Sequence, residues 1–564
     1  MLYHTEGISC AEGTYNCFLG VDLISAFKAW LALSSLMRKI FLFKFEIFAK
    51  QYMKKETPKM ENKFLEKAQK INIELKEKVV SPKYLCEIVK DDKYYKGWGT
   101  EPIKEYTGTD SLAWGTLCYD FGEHYVGYLS FDIDSSGEIC DSPVRLKITF
   151  AEVPFEFSYD GQKPGWLSYS WIQEEIINID VVPGRVTLPR RYACRYVKIE
   201  VVEKNKNMLL IFNNVEFKAV SSAGFDLKCQ VKDEKFRKIA EVSTRTLRDC
   251  MQLVYEDGPK RDRRLWLGDI RLQALVNYAT FGDTDLVKRC LYLFAGLISE
   301  EGKVPSCLYI SPKPKDGEIY LADYCMILMA CLWDWWEFTG DVKLCEELFD
   351  VAFSQFRIIL KERLLPDGTI RDDDSWWIFI DWDDYNLPKS LAASAEFAYF
   401  LTYAIKMSEL LGRKEELKEA ENYYKIITES AKEHYFNSDK GLFEEDGKVC
   451  WNTNCFMILS GALSKEEGIS IMKKLRASED ALVPVTPYVY HYVAQSYADL
   501  GMKDELEELI FDYWGDMIEN GADTFWESYK KDDPFFSPYD DAVLVSACHA
   551  WSCTPMYFIK KYFE

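Results

Sequence analysis

Two acidic and aromatic segments, far apart along the chain, hold the residues best suited to acid–base chemistry. The first is EDGPKRDRRLWLGD, from Glu256 to Asp269, with the carboxylates Asp257, Asp262 and Asp269 and the cations Arg261, Arg263 and Arg264. Crowded carboxyl groups in a partly dry site repel one another and take up protons, whereas Arg261 or Arg263 can keep a neighbour ionised and oriented. The competing interpretation is a surface network of ion pairs that caps helices.

The second segment is NGADTFWESYKKDDPFFSPYD, residues 520–540, in which Glu527 lies between Trp526 and Ser528. Aromatic neighbours exclude water, and desolvation disfavours a charged carboxylate, so the sequence predicts a raised pKa for Glu527. A solvated loop glutamate is the competing interpretation. Hydrolysis of a glycosidic bond needs two carboxyl groups, about 5–5.5 Å apart for retention of configuration or about 6.5–9.5 Å apart for inversion. The two segments together could supply such a pair.

Helical periodicity indicates how these segments are positioned. From about Asp226 onwards the pattern predicts twelve helices, near 234–255, 269–281, 284–299, 321–339, 341–362, 388–411, 414–435, 452–462, 465–476, 486–500, 502–519 and 541–562. Twelve consecutive helices suit six antiparallel hairpins closed into a ring, an (α/α)6 barrel. Because the first and last helices of a ring are neighbours, closure would bring the two acidic segments together at one mouth.

The residues before Asp226 follow a different pattern. Between about Gly97 and Val220, short β-rich segments such as VRLKITFAEV and RYVKIEVVE alternate with turn groups such as DSSGE, which predicts an antiparallel β-sandwich. The Lys/Glu-rich stretch from Lys54 to Lys93 is typical of a weakly helical connecting arm. We therefore predict three parts: an N-terminal helical extension and arm at 1–96, a β-sandwich at 97–225 and a catalytic (α/α)6 barrel at 226–564.

Composition argues against several classes of function. The chain has 91 acidic and 69 basic residues and a net charge of −22, which would repel a nucleic-acid backbone. The five histidines are far apart and form no HExxH or Cys/His group, so we predict no metal and no cofactor. The 17 cysteines are odd in number and lack a CxxC pair, which favours reduced thiols in a cytoplasmic protein.

The N-terminus contains an apolar stretch, CFLGVDLISAFKAWLALSSLMRKIFLF, that Asp22, Lys28 and Arg38 interrupt. A membrane span needs about 20 apolar residues in a row, so we predict no membrane association. Glu6 and Glu12 precede the stretch, unlike the positive residues that open a secretory signal. We interpret residues 1–60 as an amphipathic helix or, alternatively, as an extension upstream of a natural start near Met53 or Met60.

Taken in order, these segments resemble the bacterial α-L-rhamnosidases of glycoside hydrolase family 78. EDGPKRDRRLWLGD is similar to that family's sugar-binding loop, and GADTFWES is similar to its stretch with a Trp-Glu base. FIDWDD, SACHAWSCTP and YDFGEHYVGYLSFDI are similar to its Asp-Trp loop, its final helix and the opening of its sandwich domain. The resemblance covers roughly residues 110–564.

The resemblance implies an inverting exo-hydrolase that releases terminal α-L-rhamnose from a small oligosaccharide or glycoside. It implies Asp262 as the general acid and Glu527 as the general base. The residues that it implies for substrate binding are Asp257, Arg261, Trp266, Asp269, Asp381, Trp382, Trp526 and His549. For Trp382, packing in the core is the competing interpretation.

One position departs from the family pattern, because its acid is usually Glu and Asp262 is one methylene shorter. A displacement on this scale can cost about a hundredfold in rate. Two other functions therefore stay open. One is a hydrolase or lyase that acts on another deoxy sugar or on a uronic acid, whose carboxylate Arg261 and Arg263 could neutralise. The other is a non-catalytic sugar-binding protein. The sequence leaves the sugar, the linkage and the oligomeric state open.

Overall fold

The computed structural model describes residues 63–137, 143–162, 165–373, 376–382 and 389–564. In this part of the chain an antiparallel β-rich domain is followed by a helical domain. The predicted amphipathic helix and the alternative start sites in residues 1–60 lie outside the described residues. Among the described helices, none combines the length and the hydropathy that crossing a bilayer requires.

The ten described strands of the β-rich domain form one antiparallel sheet. They are β1 (Lys76–Val80), β2 (Tyr84–Lys90), β3 (Trp98–Glu105), β4 (Thr109–Leu112), β5 (Gly115–Ser136), β6 (Val144–Ala151), β7 (Glu174–Ile179), β8 (Gly184–Thr187), β9 (Tyr192–Glu203) and β10 (Leu209–Ser221). Strands β1, β10, β5, β9, β6 and β7 follow one another across the sheet, β2 pairs with β3 and β5, β4 pairs with β10, and β8 pairs with β5. In β6, Val144, Leu146 and Ile148 are buried while Arg145 is exposed, the alternation of a half-buried strand.

The N-terminal boundary of this sheet differs from the sequence prediction. The predicted helical arm is a helix only at α1 (Lys63–Lys70), and the prediction is wrong for β1 and β2. Strand β1 pairs with β10 from Lys76, opposite Ser221, to Val80, opposite Phe217. Four of the five β1 residues, Lys76, Glu77, Lys78 and Val79, are exposed, so they face water while the backbone pairs. A polar edge strand of this kind lacks the apolar alternation that identifies strands in a sequence.

The helices of the second domain lie close to the predicted ones, and the prediction of residues 414–435 is confirmed residue for residue. They are α2 (Arg237–Cys250), α3 (Leu267–Ala279), α4 (Thr284–Gly296), α5 (Ala322–Thr339), α6 (Val342–Arg363), α7 (Lys389–Leu410), α8 (Lys414–Tyr435), α9 (Trp451–Leu459), α10 (Lys465–Ala477), α11 (Pro487–Leu500), α12 (Lys503–Leu509), α13 (Asp516–Glu519) and α14 (Pro555–Phe558). Local signals set their starts: Ser464 and Glu467 form a capping box before α10, and Thr486 caps α11 ahead of Pro487.

From α3 to α9, each odd-numbered helix packs on the helix two places further along the chain. Helix α3 packs on α5, α5 on α7, α7 on α9 and α9 on α11, and the C-terminal α14 packs back on α3. Their buried faces share one hydrophobic core. This succession brings the start of α3, near Asp269, next to the C-terminal segment near Ala550.

The helix predicted over 541–562 is wrong for most of its length. Residues 542–544 and 550–552 form single 3₁₀ turns, and α14 begins only at Pro555. Between these turns, the backbone N–H groups of Ser546, Ala547, His549 and Ala550 bind distant parts of the chain instead of their own preceding turn. Ser546 N–H donates to Glu527 Oε2, and Ala547 N–H donates to Glu152 Oε2. The spacing of apolar residues cannot predict these hydrogen-bond partners, because they come from distant segments of the chain.

Candidate active site

Glu527 lies deep in the helical domain, with 2% of its surface exposed. Arg261 Nη2 donates to both of its carboxylate oxygens, at 2.9 and 2.7 Å. The Tyr539 hydroxyl donates to Oε1, and Ser546 N–H donates to Oε2 at 3.0 Å. Burial by itself would raise the pKa of Glu527, but the charge of Arg261 leads the contacts that outweigh it, so the pKa is lowered. The prediction of a raised pKa is therefore wrong, and Glu527 is ionised at neutral pH.

Arg261 links the two segments that carry the predicted acid and base. Its Nη1 lies 3.3 Å from Asp262 Oδ1, and its Nη2 lies 2.7 Å from Glu527 Oε2. Its Nε donates to Leu544 O at 3.2 Å, and its guanidinium lies 4.0 Å from the centre of the Tyr539 ring. The carboxyl groups of Asp262 and Glu527 therefore both contact one guanidinium. The prediction that segments 255–269 and 520–540 meet is confirmed.

Asp257 holds the turn that carries Asp262. Its Oδ2 accepts a hydrogen bond from Asp262 N–H at 3.3 Å, and its Oδ1 accepts one from Arg264 N–H at 3.1 Å. Burial, followed by the charge of Asp262, raises the pKa of Asp257 to about 8. Asp257 is therefore protonated at neutral pH.

Gly258 allows the turn to lie against the C-terminal segment. A Cβ atom at this position would lie 2.4 Å from Arg261 O and 2.8 Å from Ser546 Oγ. Ser546 Oγ occupies the space and donates to Arg261 O at 2.9 Å. Any larger residue would push the turn away from the segment that binds Glu527.

Four buried polar atoms next to these carboxylates lack a hydrogen-bond partner among the described residues. They are Asp269 Oδ1, His549 Nδ1 and the indole Nε1 atoms of Trp266 and Trp382. Asp269 Oδ1 and His549 Nδ1 are 3.6 Å apart. Burial, followed by the charge of Asp257, raises the pKa of Asp269 well above its ordinary value. Burial lowers the pKa of His549 to about 4, so the imidazole is neutral at pH 7. Buried polar groups are rarely left unsatisfied, and a ligand rich in hydroxyl groups would satisfy these.

Aromatic rings form one wall beside these polar atoms. The ring of Phe379 lies 5.7 Å from that of Tyr324, 5.1 Å from that of Trp382 and 6.4 Å from that of Trp551. Trp551 Nε1 donates to Glu527 O at 2.9 Å and so fixes the base segment to this wall. Flat apolar faces next to a few placed polar groups are typical of small-molecule sites.

The β-rich domain anchors the acidic turn through Lys260. Lys260 Nζ donates to Glu156 Oε1 at 2.6 Å and to Val545 O at 2.8 Å, and it lies 3.4 Å from Glu152 Oε2. Glu152 Oε2 also accepts from Ala547 N–H at 2.6 Å. Two neighbouring carboxylates of the β-rich domain thus hold both helical-domain segments that surround Glu527.

One group of described residues has the spacing of metal ligands. Atoms of His124, Asp249 and Cys548 all lie within 4.8 Å of one another. His124 Nδ1 is 2.7 Å from Asp249 Oδ2, and its Nε2 is 3.3 Å from Glu152 Oε1. Burial lowers the pKa of His124, but Cys548 and the two carboxylates outweigh burial and raise it. His124 thus links Glu152 of the β-rich domain to Asp249 of the helical domain in a buried ion-pair network.

Comparisons with known proteins match both domains. Residues 82–219 match the glycosyl hydrolase family 78 α-rhamnosidase N-terminal domain, and residues 226–563 match the bacterial α-L-rhamnosidase six-hairpin glycosidase domain. The chain belongs to this family. It is therefore a glycoside hydrolase of family 78. No curated protein sequence matches the chain.

Solved structures extend the family match. A rhamnosidase from Klebsiella oxytoca with rhamnose bound is 36% identical, covers 89% of this chain and 99% of its own, and has a TM-score of 0.85. The family 78 rhamnosidase of Bacillus sp. GL1 is 18% identical with a TM-score of 0.67, over 79% of this chain and 46% of its own. The Streptomyces avermitilis α-L-rhamnosidase complexed with L-rhamnose is 16% identical with a TM-score of 0.60, over 86% of this chain and 44% of its own. At this identity the last two show the fold alone.

The structure of this family 78 chain brings together six of the ten residues predicted for the site, which are Asp257, Arg261, Asp262, Asp269, Glu527 and His549. Trp266 lies against Tyr324, and Trp382 lies against Phe379 and Tyr539. Asp381 instead accepts from Thr486 Oγ1 at 2.7 Å and from Val485 N–H at 2.9 Å, which fixes the start of α11. The indole of Trp526 stacks on Tyr95, with ring centres 4.6 Å apart, on the side of the β-rich domain.

Sequence reasoning did not single out Tyr539, Ser546 or Lys260. Tyr539 lies within the quoted acidic segment 520–540, where its position among other aromatic residues gave no reason to prefer it. Ser546 acts through its backbone N–H, and Lys260 acts through carboxylates of the other domain, so neither leaves a local pattern.

Proposed function

We propose that the chain is an inverting exo-glycosidase that hydrolyses terminal α-L-rhamnose from small oligosaccharides or glycosides. The observation that carries the proposal is the placement of Asp262 and Glu527 on one guanidinium, beside buried polar atoms that lack protein partners. The similarity to a Klebsiella oxytoca rhamnosidase with rhamnose bound supports rhamnose as the sugar.

In this mechanism Glu527 is the general base. Its pKa is lowered, so it is ionised at neutral pH and can take a proton from an attacking water. Asp262 is the general acid and donates a proton to the glycosidic oxygen, and Asp257, which is neutral at pH 7, positions Asp262 through its backbone N–H. Direct displacement by water inverts the anomeric centre because the two carboxyl groups act on opposite faces of the sugar.

The remaining site residues would bind the sugar ring. Asp269, His549 and Trp266 each offer a buried polar atom to a sugar hydroxyl, and Trp382 and Phe379 offer apolar faces. Because these atoms are buried, they suit one terminal sugar ring rather than the middle of a chain. Exo-action follows from this depth.

The helix packing supports an (α/α)6 barrel as the catalytic domain, residues 226–564. In this arrangement α3, α5, α7, α9, α11 and the C-terminal segment would form the inner ring, since each packs on the next and α14 returns to α3. We assign the β-rich domain, from β1 at Lys76 to residue 225, as a β-sandwich that braces the catalytic turn through Glu152 and Glu156.

The contacts of Arg261 argue against a uronic-acid substrate. Its Nη2 donates to Glu527, its Nη1 faces Asp262 and its Nε donates to Leu544 O. A substrate carboxylate would have to displace these partners. A non-catalytic sugar-binding role is also disfavoured, because the carboxylate pair is assembled.

Release of nitrophenol from nitrophenyl α-L-rhamnoside, against a panel of other nitrophenyl glycosides, tests the proposal. We expect turnover of the rhamnoside alone, with the β-anomer of rhamnose as the first product by proton NMR. Appearance of the α-anomer first would contradict inversion, and an unsaturated product absorbing in the ultraviolet would indicate a lyase.

Variants test the assigned roles. Glu527→Gln should abolish turnover, and Asp262→Asn should spare substrates with good leaving groups, since these need little protonation. An active Glu527→Gln variant would refute the base assignment. Rhamnose binding by the wild type without turnover of any glycoside would instead support the non-catalytic function.

A further inference from the structure

His124 connects the β-rich domain to two segments of the helical domain. It lies in β5, and none of its surface is exposed. Its backbone N–H donates to Asp523 Oδ2 at 2.6 Å, and its backbone oxygen accepts a hydrogen bond from Arg248 Nη2 at 2.7 Å. Its ring nitrogens Nδ1 and Nε2 lie 2.7 Å from Asp249 Oδ2 and 3.3 Å from Glu152 Oε1. All four polar atoms of His124 therefore have partners outside β5.

The backbone of His124 holds the beginning of the base segment, residues 523–527, which ends at Glu527. Asp523, its first residue, accepts the hydrogen bond from His124 N–H. Two residues later, Phe525 N–H donates to Thr246 Oγ1 of α2 at 2.8 Å. The base segment is thus fixed between β5 and α2.

The side chain of His124 reaches the base by a second series of contacts. Its Nε2 lies 3.3 Å from Glu152 Oε1, and Glu152 Oε2 accepts from Ala547 N–H at 2.6 Å. Ala547 directly follows Ser546, whose N–H donates to Glu527 Oε2 at 3.0 Å. One buried carboxylate therefore lies between the imidazole ring and the backbone that donates to the base.

The imidazole ring lies between two buried carboxyl groups, since Glu152 is 3% exposed and Asp249 is 1% exposed. For Glu152, burial raises the pKa, but the charge of Lys260 and the contact with His124 outweigh burial and lower it. For Asp249, the charge of Arg248 and the contact with His124 have the same effect. A ring that donates from both nitrogens binds both carboxylates at once, whereas the amide group of a shorter side chain can replace only one of the two nitrogens.

We propose that His124 is a positioning residue for the general base Glu527. It touches neither the substrate nor the reacting atoms, and it acts through Asp523 and through Glu152. Ser546 N–H is among the groups that lower the pKa of Glu527, so a shift of the Ser546 backbone would raise that pKa and displace the carboxylate. The inference rests on the proposed function in one respect, the role of Glu527 as the base.

Two substitutions separate the contacts of the two ring nitrogens. The amide nitrogen of glutamine takes the place of Nε2, and that of asparagine takes the place of Nδ1. His124→Gln therefore keeps a donor for Glu152, whereas His124→Asn keeps a donor for Asp249 alone. With nitrophenyl α-L-rhamnoside, kcat should fall by about a hundredfold in His124→Asn and by at most about tenfold in His124→Gln. KM should stay within about threefold of the wild-type value, because the loss concerns the base and not the binding of the sugar.

The pH profile distinguishes positioning from a merely structural role. Both variants leave unchanged the other side chains that set the pKa of the base, which are Arg261, Tyr539 and His549. The acidic limb of kcat/KM should move to higher pH in His124→Asn and should move less in His124→Gln. The control is His434→Asn, because His434 is exposed in the last turn of α8. This control should keep the wild-type kcat and acidic limb.

The proposal is overturned if both His124 variants melt at a lower temperature but keep the wild-type kcat and acidic limb, or if both lose activity equally. If neither variant folds, Glu152→Gln and Asp249→Asn give the same comparison from the side of the carboxylates. Glu152→Gln should lower kcat more than Asp249→Asn, and the reverse order refutes the proposal. A wild type that does not turn over the rhamnoside contradicts the proposed function and this inference together, whereas wild-type turnover with unaltered variants contradicts this inference alone.

Discussion

The pair Arg261–Glu527 should be strongly coupled in stability. Arg261 is 4% exposed and Glu527 is 2% exposed, and Nη2 reaches both carboxylate oxygens within 2.9 Å. Arg261→Met keeps the length of the side chain but leaves Glu527 as a buried charge held only by Tyr539 and Ser546. Breaking a buried pair from one side costs about 3–5 kcal/mol in the free energy of unfolding.

A double-mutant cycle measures the coupling. Glu527→Gln should cost less than Arg261→Met, because Arg261 keeps Asp262 and Leu544 O as partners. The double variant leaves neither charge unpaired and should cost no more than Arg261→Met alone. The expected coupling free energy between Arg261 and Glu527 is therefore about 2–3 kcal/mol. It is obtained from the free energies of unfolding of the four proteins, measured by urea unfolding with tryptophan fluorescence as the signal. Additive costs would refute the assignment of Arg261 as the partner that keeps Glu527 ionised.

The pH dependence of the same variants gives a second check. An unfolded glutamate has a pKa of about 4.3, and in the folded wild type the pKa of Glu527 is lower. Glu527 therefore stabilises the fold at pH values above about 4.3, and this stabilisation is lost as the pH falls through the pKa of the folded state. In Arg261→Met the largest contribution that opposes burial is lost, so the pKa of Glu527 should rise. As the pH falls from 7 towards about 5, protonation of Glu527 removes the unpaired buried charge in the variant. The difference in the free energy of unfolding between wild type and variant should therefore shrink. A deficit that stays constant over this range would contradict the argument.

Four further outcomes are expected. Tyr539→Phe removes a hydrogen bond to a charged group, worth about 1.5–3 kcal/mol, so the acidic limb of kcat/KM should move up by about one to two pH units; an unmoved limb would count against Tyr539 as a donor to the base. The alkaline limb should fall near pH 8, where the buried Asp257 carboxyl group loses its proton, and Asp257→Asn should shift it; the same limb in both proteins would contradict the assignment of that limb to Asp257. Lys260→Met should lower kcat by about a hundredfold, because the turn that carries Asp262 is displaced. Lys218→Met, on the exposed face of the β-rich domain, is the control and should leave kcat unchanged. Equal kcat values for the two variants would show that the contact of Lys260 with Glu156 is dispensable. His549→Ala should raise KM for the rhamnoside by about tenfold with a smaller effect on kcat, and an unchanged KM would exclude His549 from sugar binding.

The sequence by itself determined the features that depend on neighbours along the chain. The 3.6-residue periodicity and the capping residues located helices such as α8 and α10 to within one residue, because such signals act within a turn or two. The spacing of Asp257, Asp262 and Asp269 within one segment identified the acidic side of the site. The resemblance to glycoside hydrolase family 78 then matched that segment and the Glu527 segment to two motifs of the same family, in the same order along the chain.

The tertiary structure alone decided which distant groups meet and how they are charged. Trp526 next to Glu527 suggested desolvation and a raised pKa, but the guanidinium that lowers it comes from 266 residues away. The segment near Ser546 has helical apolar spacing, yet its backbone binds Glu527 and Glu152 and stays irregular. Hydrogen bonds and Coulomb interactions act over a few ångströms in space, irrespective of separation along the chain, so no local pattern can report them.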